Sequence, residues 1–269
     1  MTQTTSFSDL FVAVWPTLLA FDLSRYLIAA SILAAILAVF AGSLAKRRIQ
    51  SRMASGKDVR REITCSVGTA LLFSLVGFVV YVGSSQGIFR IYGGDFPGSG
   101  RILLEFLAVV LVHDAYFYWA HRAMHNRWLF RRVHRLHHKS RTPTPWAAYA
   151  FAPPEAIVEA GILPFAALLI PMHELTVFLF MTHMIARNVI GHAGIELFPS
   201  WWLDVPLLRL VTTTTHHDLH HSHGGYNFGL YFTWWDRWMN TEHPEYQSRF
   251  RAVVQSRCPV NLSMKENTK

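Results

Sequence analysis

Two apolar runs, residues 26–45 (YLIAASILAAILAVFAGSLA) and 63–83 (ITCSVGTALLFSLVGFVVYVG), limit what this chain can fold into. Neither holds a charged residue, and each matches the roughly 20 residues that cross a hydrocarbon layer of about 30 Å as a helix. Composition agrees: of 269 residues, 51% are hydrophobic and only 16% charged, against about 25% charged in soluble domains. Lipid is the expected solvent.

Three more apolar stretches carry ionisable groups. Residues 102–120 include Glu105, His113 and Asp114; 156–172 include Glu159 and Pro164; 174–191 include His183 and Arg187. Such groups at membrane depth face a bundle interior or a watery cavity, and they mark where function is to be sought. Residues 7–21, interrupted by Asp9 and Pro16, read as an interfacial or partly inserted helix. The expected fold is all-α: a polytopic membrane protein of about four to five transmembrane or re-entrant helices with a cytosolic, histidine-rich helical cap. Residues 1–255 form one integral-membrane domain, with a motif-bearing core at about 100–244 and a polar tail at 256–269. The opening MTQTTSFSDL lacks the basic start of a cleaved signal peptide, so the first span is expected to direct insertion. Cys65 and Cys258 support neither a disulfide scaffold nor a thiolate metal site.

The net charge of +8 points to topology rather than to nucleic acid. Seven basic residues lie in 46–62 and seven in 122–141, against two in 84–101 and none at the turn of Pro171 and Met172. By the positive-inside rule the first two segments are cytoplasmic. The histidine-rich segments then fall on one face, provided residues 154–191 form a two-helix hairpin that returns the chain there. A single crossing would leave the groups on opposite leaflets.

The segment THHDLHHSH (215–223) packs five histidines into nine positions. Neutral imidazole leaves a donor and an acceptor to satisfy, so clustering asks for a partner. His121 and His125 stand at i and i+4, about 40° apart around a helix, and Asp114 lies on the same stripe. His134, His137 and His138 follow an i, i+3, i+4 spacing. His217, His220 and His221 repeat it, with His216 adjacent. On a helix such positions share a face, so His121 and His125 can converge on one ion. A lone H-x3-H is more often no metal site, and HRLHHKSR alone could lie against anionic headgroups. Three such units on one face argue for metal. The eight or more imidazoles exceed the three or four that a tetrahedral zinc uses, so two ions are expected. No HExxH is present, and imidazole suits iron as well as zinc. The expected cofactor is two iron ions, with zinc a substitute in purified protein.

The runs HDAYFYWAHRAMH (113–125), HRLHH (134–138), NVIGHAGIE (188–196) and HHDLHHSHGGYNFGLYFTWWDRWMNTEHP (216–244) resemble the fatty acid hydroxylase superfamily, also called the sterol desaturase family. The resemblance implies a di-iron enzyme at the cytosolic membrane face that uses dioxygen to hydroxylate or desaturate lipids. It implies His121, His125, His134, His137, His138, His217, His220 and His221 as ligands. It also implicates His192, with His216 an adjacent candidate. Some relatives carry a further histidine where Asn188 stands, so either Asn188 could hold a water or one position stays open, and the ligand count is eight, nine or ten.

Asp114, Asp218, Glu196 and Asp236 are candidates to orient ligating rings through the far ring nitrogen, and Asp236 with Arg237 reads as a structural ion pair. His113, His183 and His223 read as supporting or structural, and His173 and His243 as surface residues. Trp201, Trp202, Trp234, Trp235 and Trp238 fit an aromatic belt. Neither G-x-G-x-x-G nor HPGG occurs, so electrons are expected from a separate protein docking on Arg131, Arg132, Arg135, Lys139 and Arg141. Dioxygen, a lipid substrate and membrane lipids complete the expected partners. A zinc-dependent lipid hydrolase or a metal-binding membrane protein is the alternative. A bacterial inner membrane is the favoured location, with the endoplasmic reticulum the other option.

Overall fold

The computed structural model describes residues 6–255; the expected polar tail and Cys258 lie outside them. Helices α1 (Phe7–Val39), α2 (Gly56–Ser85) and α3 (Ser99–Met124) are long and apolar enough to cross a bilayer. Local chemistry sets their starts. Ser55 accepts from the Asp58 backbone N–H while the Asp58 carboxylate takes the Ser55 N–H, a reciprocal cap ahead of the apolar run. Val12, Ile28 and Ile32 of α1, Leu71 and Val79 of α2, and Leu103 and Leu104 of α3 point outward and exposed. Outward aliphatic rows on helices of this length and hydropathy suit a lipid surround, and this is a membrane protein.

The first helix corrects the sequence reading in two ways. Residues 7–21 and 26–39 form one continuous helix, and the chain turns after Val39 rather than after residue 45. Asp9 does not interrupt it, because Asp9 sits in the first turn, capped by Ser6, where a carboxylate suits the helix dipole. Pro16 removes one backbone donor, too little to end a helix of 33 residues.

The expected hairpin is present. Helices α4 (Pro153–Ala160) and α5 (Ile162–Leu169) run out and α6 (Glu174–Gly191) runs back. The break at Gly161 falls where the missing N–H of Pro164 leaves the Ala160 carbonyl without its helical donor. At the far end, strand β2 (Met172–His173) pairs in parallel with β1 (Ile91–Tyr92) from the α2–α3 loop. Glu105 of α3 clamps this end. Its carboxylate accepts from the His173 N–H (2.8 Å), Thr176 Oγ1 (2.8 Å), Tyr92 Oη (2.7 Å) and Arg101 Nε (2.9 Å). His173 is therefore not a surface residue: it is buried and caps α6, its Nδ1 accepting from the Leu175 N–H.

At the opposite end lie a wide π-type turn (Phe130–His134), 3-10 turns (His137–Lys139, Pro145–Tyr149), and helices α7 (Thr214–His223), α8 (Trp234–Trp238) and α9 (Tyr246–Gln255). Tyr26 of α1 and Ser66 of α2 both donate to the Trp146 carbonyl (2.9 and 3.0 Å), fastening two spans to this cap. Tyr26, Phe73, Tyr149, Phe151, Met184 and Ile185 fill the junction. The basic 46–62 loop lies at the same end: Gln50 Nε2 donates to Asp218 (2.9 and 3.0 Å) and to the Arg141 carbonyl (2.8 Å).

Candidate metal centre

Four chain segments deliver histidines to the cap. His121 occupies the last turn of α3 and His125 follows as its C-cap; His134 ends the π-type turn and His137 opens a 3-10 turn. His192 caps the C-terminus of α6, and α7 carries His217, His220 and His221. These side chains form two groups, each with its ligand nitrogens within 4.8 Å of one another: His121, His125, His134, His138 and His220, and His137, His192, His217 and His221. The groups adjoin, with the His138 and His221 rings 5.1 Å apart.

The shared face expected from the i, i+3, i+4 spacing of each H-x2-HH unit does not keep its histidines in one group. His134 and His138 join the first group while His137 joins the second; on α7, His220 joins the first and His217 and His221 the second. Residues 130–139 leave regular α-geometry, so i and i+3 no longer share a face, and α7 lies between the two groups. His216 belongs to neither. It is fully buried, with no hydrogen bond to either ring nitrogen, and its Nε2 lies 3.4 Å from Asp236.

The ring chemistry fits metal ions. Nδ1 of His121, His220 and His192 faces the carbonyl of Phe228 (2.9 Å), Tyr226 (2.7 Å) and Asn188 (2.7 Å). A carbonyl only accepts, so each Nδ1 bears the proton and each Nε2 presents a lone pair. These Nε2 atoms point at other Nε2 atoms: His121 to His134 at 3.1 Å, His138 to His220 at 3.0 Å, His217 to His192 at 3.1 Å, His221 to His192 at 3.2 Å. Facing lone pairs repel unless a cation lies among them. Metal–nitrogen bonds of 2.0–2.1 Å put neighbouring ligand nitrogens about 3.0–3.4 Å apart, the spacing found here. Burial, then the neighbouring imidazoles, holds His137, His217, His220 and His221 well below the usual imidazole range, which keeps the rings neutral, as ligation needs.

Two supports were not visible in the sequence. Glu155 of α4, fully buried, meets His134 Nδ1 at 2.6 Å; nothing in PPEAIVEA signals a histidine partner 21 residues away. The second is the 226–228 loop, whose carbonyls at Tyr226 and Phe228 orient His220 and His121. Asn227 between them has φ 59°, a conformation Asn tolerates, with its side chain bonded to the His216 carbonyl and the His243 N–H. Close packing continues at Gly229, where an added Cβ would run into the Phe232 carbonyl oxygen and lie 2.9 Å from Asp236 Oδ2. Gly229→Ala is expected to cost about 1–3 kcal/mol, as overpacking does; thermal denaturation of the purified variant measures it.

The proposed orienting residues act less directly than expected. Asp114 accepts from the Tyr231 and Phe232 N–H groups and Trp234 Nε1 (3.1, 3.2 and 2.7 Å), and Asp218 from Gln50; neither touches a grouped histidine ring. Burial pushes the Asp218 carboxyl up to about 7. Asn188 donates its amide Nδ2 to the Ala148 carbonyl (2.8 Å), and its backbone carbonyl accepts from His192 Nδ1. Asp236 is not paired with Arg237, which binds Glu242 at 2.9 Å; Asp236 instead accepts from the Phe228 and Gly229 N–H groups and Thr241 Oγ1. Glu196 accepts from the Thr215 and Phe198 N–H groups. His113 Nδ1 lies 2.8 Å from Tyr231 Oη, and His183 packs on the same ring. His243 is buried under the 226–228 loop rather than on the surface, and His223 is exposed beside it.

Fold and site define a helical membrane protein with two adjoining histidine groups, each able to hold a metal ion. Residues 106–241 match the fatty acid hydroxylase family, and the chain belongs to it. A Delta(7)-sterol 5(6)-desaturase of Gibberella zeae is 30% identical over 183 residues, 67% of this chain and 55% of the relative. Lathosterol oxidase of Homo sapiens is 28% identical over 186 residues, 67% of this chain and 60% of the relative. A Delta(7)-sterol 5(6)-desaturase of Aspergillus fumigatus is 29% identical over 242 residues, 86% of this chain and 64% of the relative. The chain thus spans less than two thirds of the length of each of these relatives. No solved structure matches it.

Proposed function

We propose that this protein is a membrane-bound di-iron oxygenase that uses dioxygen and externally supplied electrons to hydroxylate or desaturate a lipid of fatty acyl or sterol type. The observation that carries the reading is the convergence of imidazole lone pairs in two adjoining groups. His121, His125, His134, His138 and His220 would hold one ion, and His137, His192, His217 and His221 the other. A ferrous pair bound there would supply reductive activation of dioxygen, the chemistry that breaks an unactivated C–H bond. Neither the five-histidine nor the four-histidine set would by itself saturate an ion that takes six donors.

The chain's own residues do the rest. The carbonyls of Tyr226, Phe228 and Asn188 and the carboxylate of Glu155 fix ring tautomer and orientation. Burial of His121, His134, His137, His192, His217, His220 and His221 keeps water from the ligating nitrogens. His138 and His221 border a cleft of about 1000 Å³ whose walls include Gln50, Arg52, Arg135, Lys139 and Arg141. Its positive charge suits an acidic electron-transfer protein. The basic loops at the histidine end support a cytoplasmic orientation, and the relatives' names support the sterol-type end of the substrate range.

Protein purified without added metal is expected to carry about two iron ions per chain and to consume dioxygen only when both a reductant and a lipid substrate are supplied. Zinc in both groups with no oxygen uptake would overturn the reading in favour of a hydrolase.

A further inference from the structure

Glu159 takes no part in the histidine centre. It lies on α4 one turn beyond Glu155, about 6 Å further along the axis, and is 9% exposed. It borders a crevice between α2, the α4–α5 arm and α6, with Phe73, Val76, Leu163, Met181 and Met184 among the walls. Every other residue of that lining is apolar or glycine. Among the described residues no hydrogen-bond donor or cation pairs with the Glu159 carboxyl. The free space is about 20 Å³, room for one water-sized group. A carboxyl buried in such a setting is costly without a donor, and an ionisable group at membrane depth marks a functional position.

We propose that this crevice anchors the hydroxyl of a lipid alcohol: the hydroxyl donates to Glu159 while the hydrocarbon body lies along α2 and α6 in the membrane. The proposal names the substrate class of the oxygenase function above and rests on that reading. The choice of a hydroxyl follows from counting donors. An alcohol brings one donor to a site with a single accepting side chain, whereas a primary ammonium brings three and would leave at least one unmet among Phe73, Met181 and Met184. The anchor also lies on the same face of α4 as Glu155, which holds His134, so the hydroxyl-bearing end of the molecule would be held beside the centre.

The test uses the full chain in lipid nanodiscs and two photoactivatable probes, a sterol and the same molecule lacking its hydroxyl. The wild-type protein is expected to bind the alcohol at least about tenfold more tightly, the worth of one hydrogen bond to a charged or buried acceptor. Glu159→Leu is expected to bind both probes alike, to keep its iron, and to melt no lower, because an unpaired buried carboxyl has been exchanged for an apolar group. Glu159→Gln, which retains an acceptor, is expected to keep most of the preference. Equal binding of both probes by the wild type, an undiminished preference in Glu159→Leu, or a lowered melting temperature in that variant would overturn the proposal. Because binding is read without turnover, failure here with iron content and oxygen uptake intact leaves the oxygenase reading standing. Loss of those two with the alcohol preference intact does the reverse.

Discussion

Replacing His137 with alanine is expected to abolish turnover and to lower bound iron from about two ions per chain towards one, since one ligand set loses a quarter of its nitrogens. His137 is a buried member of the four-histidine group, whereas its neighbours His134 and His138 belong to the other group. The loss should therefore be confined to one ion, a result that shared use of the HRLHH unit at a single site would not produce. His216→Ala is the control. His216 adjoins His217 in sequence but joins neither group, so the variant should keep both ions. Elemental analysis together with oxygen uptake reads both variants. Full iron content and normal turnover in His137→Ala would remove it from the ligand set.

Asp236→Ala is expected to cost on the order of 3 kcal/mol in stability, because it orphans buried donors worth roughly 1–3 kcal/mol each. Its carboxylate is fully buried and accepts from the Phe228 N–H (2.8 Å), the Gly229 N–H (2.9 Å) and Thr241 Oγ1 (2.8 Å). The damage should also reach the metal. The Phe228 carbonyl holds His121 Nδ1, so a shifted loop would loosen the five-histidine group before the four-histidine one. Thermal denaturation in detergent, paired with metal content, is the measurement; an unchanged melting temperature would contradict the account.

Much of this architecture was legible in the sequence. The uncharged runs announced two spans, and loop charge assigned the basic segments and the histidine groups to one end, which Gln50 on Asp218 bears out. The hairpin needed to reunite the groups exists. Other features were misread for identifiable reasons. Asp9 and Pro16 looked like interruptions, but Asp9 falls in the first turn, where a carboxylate suits the dipole, and the single donor lost at Pro16 is outweighed by the rest of a 33-residue helix. Asp236 and Arg237 are adjacent in sequence, which suggested a pair, yet they point to different partners. His173 and His243 looked superficial because nothing local predicts burial beneath a distant loop.

The sequence by itself determined that this chain lives in a membrane and that its histidine motifs share one end if residues 154–191 form a hairpin, because hydropathy, charge and spacing are properties each segment holds on its own. Tertiary structure decided how the imidazoles are divided and what lies behind each ring. His121 takes its orientation from a carbonyl 107 residues away and His138 meets His220 across 82. Tautomer and coordination depend on whichever atoms pack within about 3 Å, and those neighbours exist only once the chain has folded.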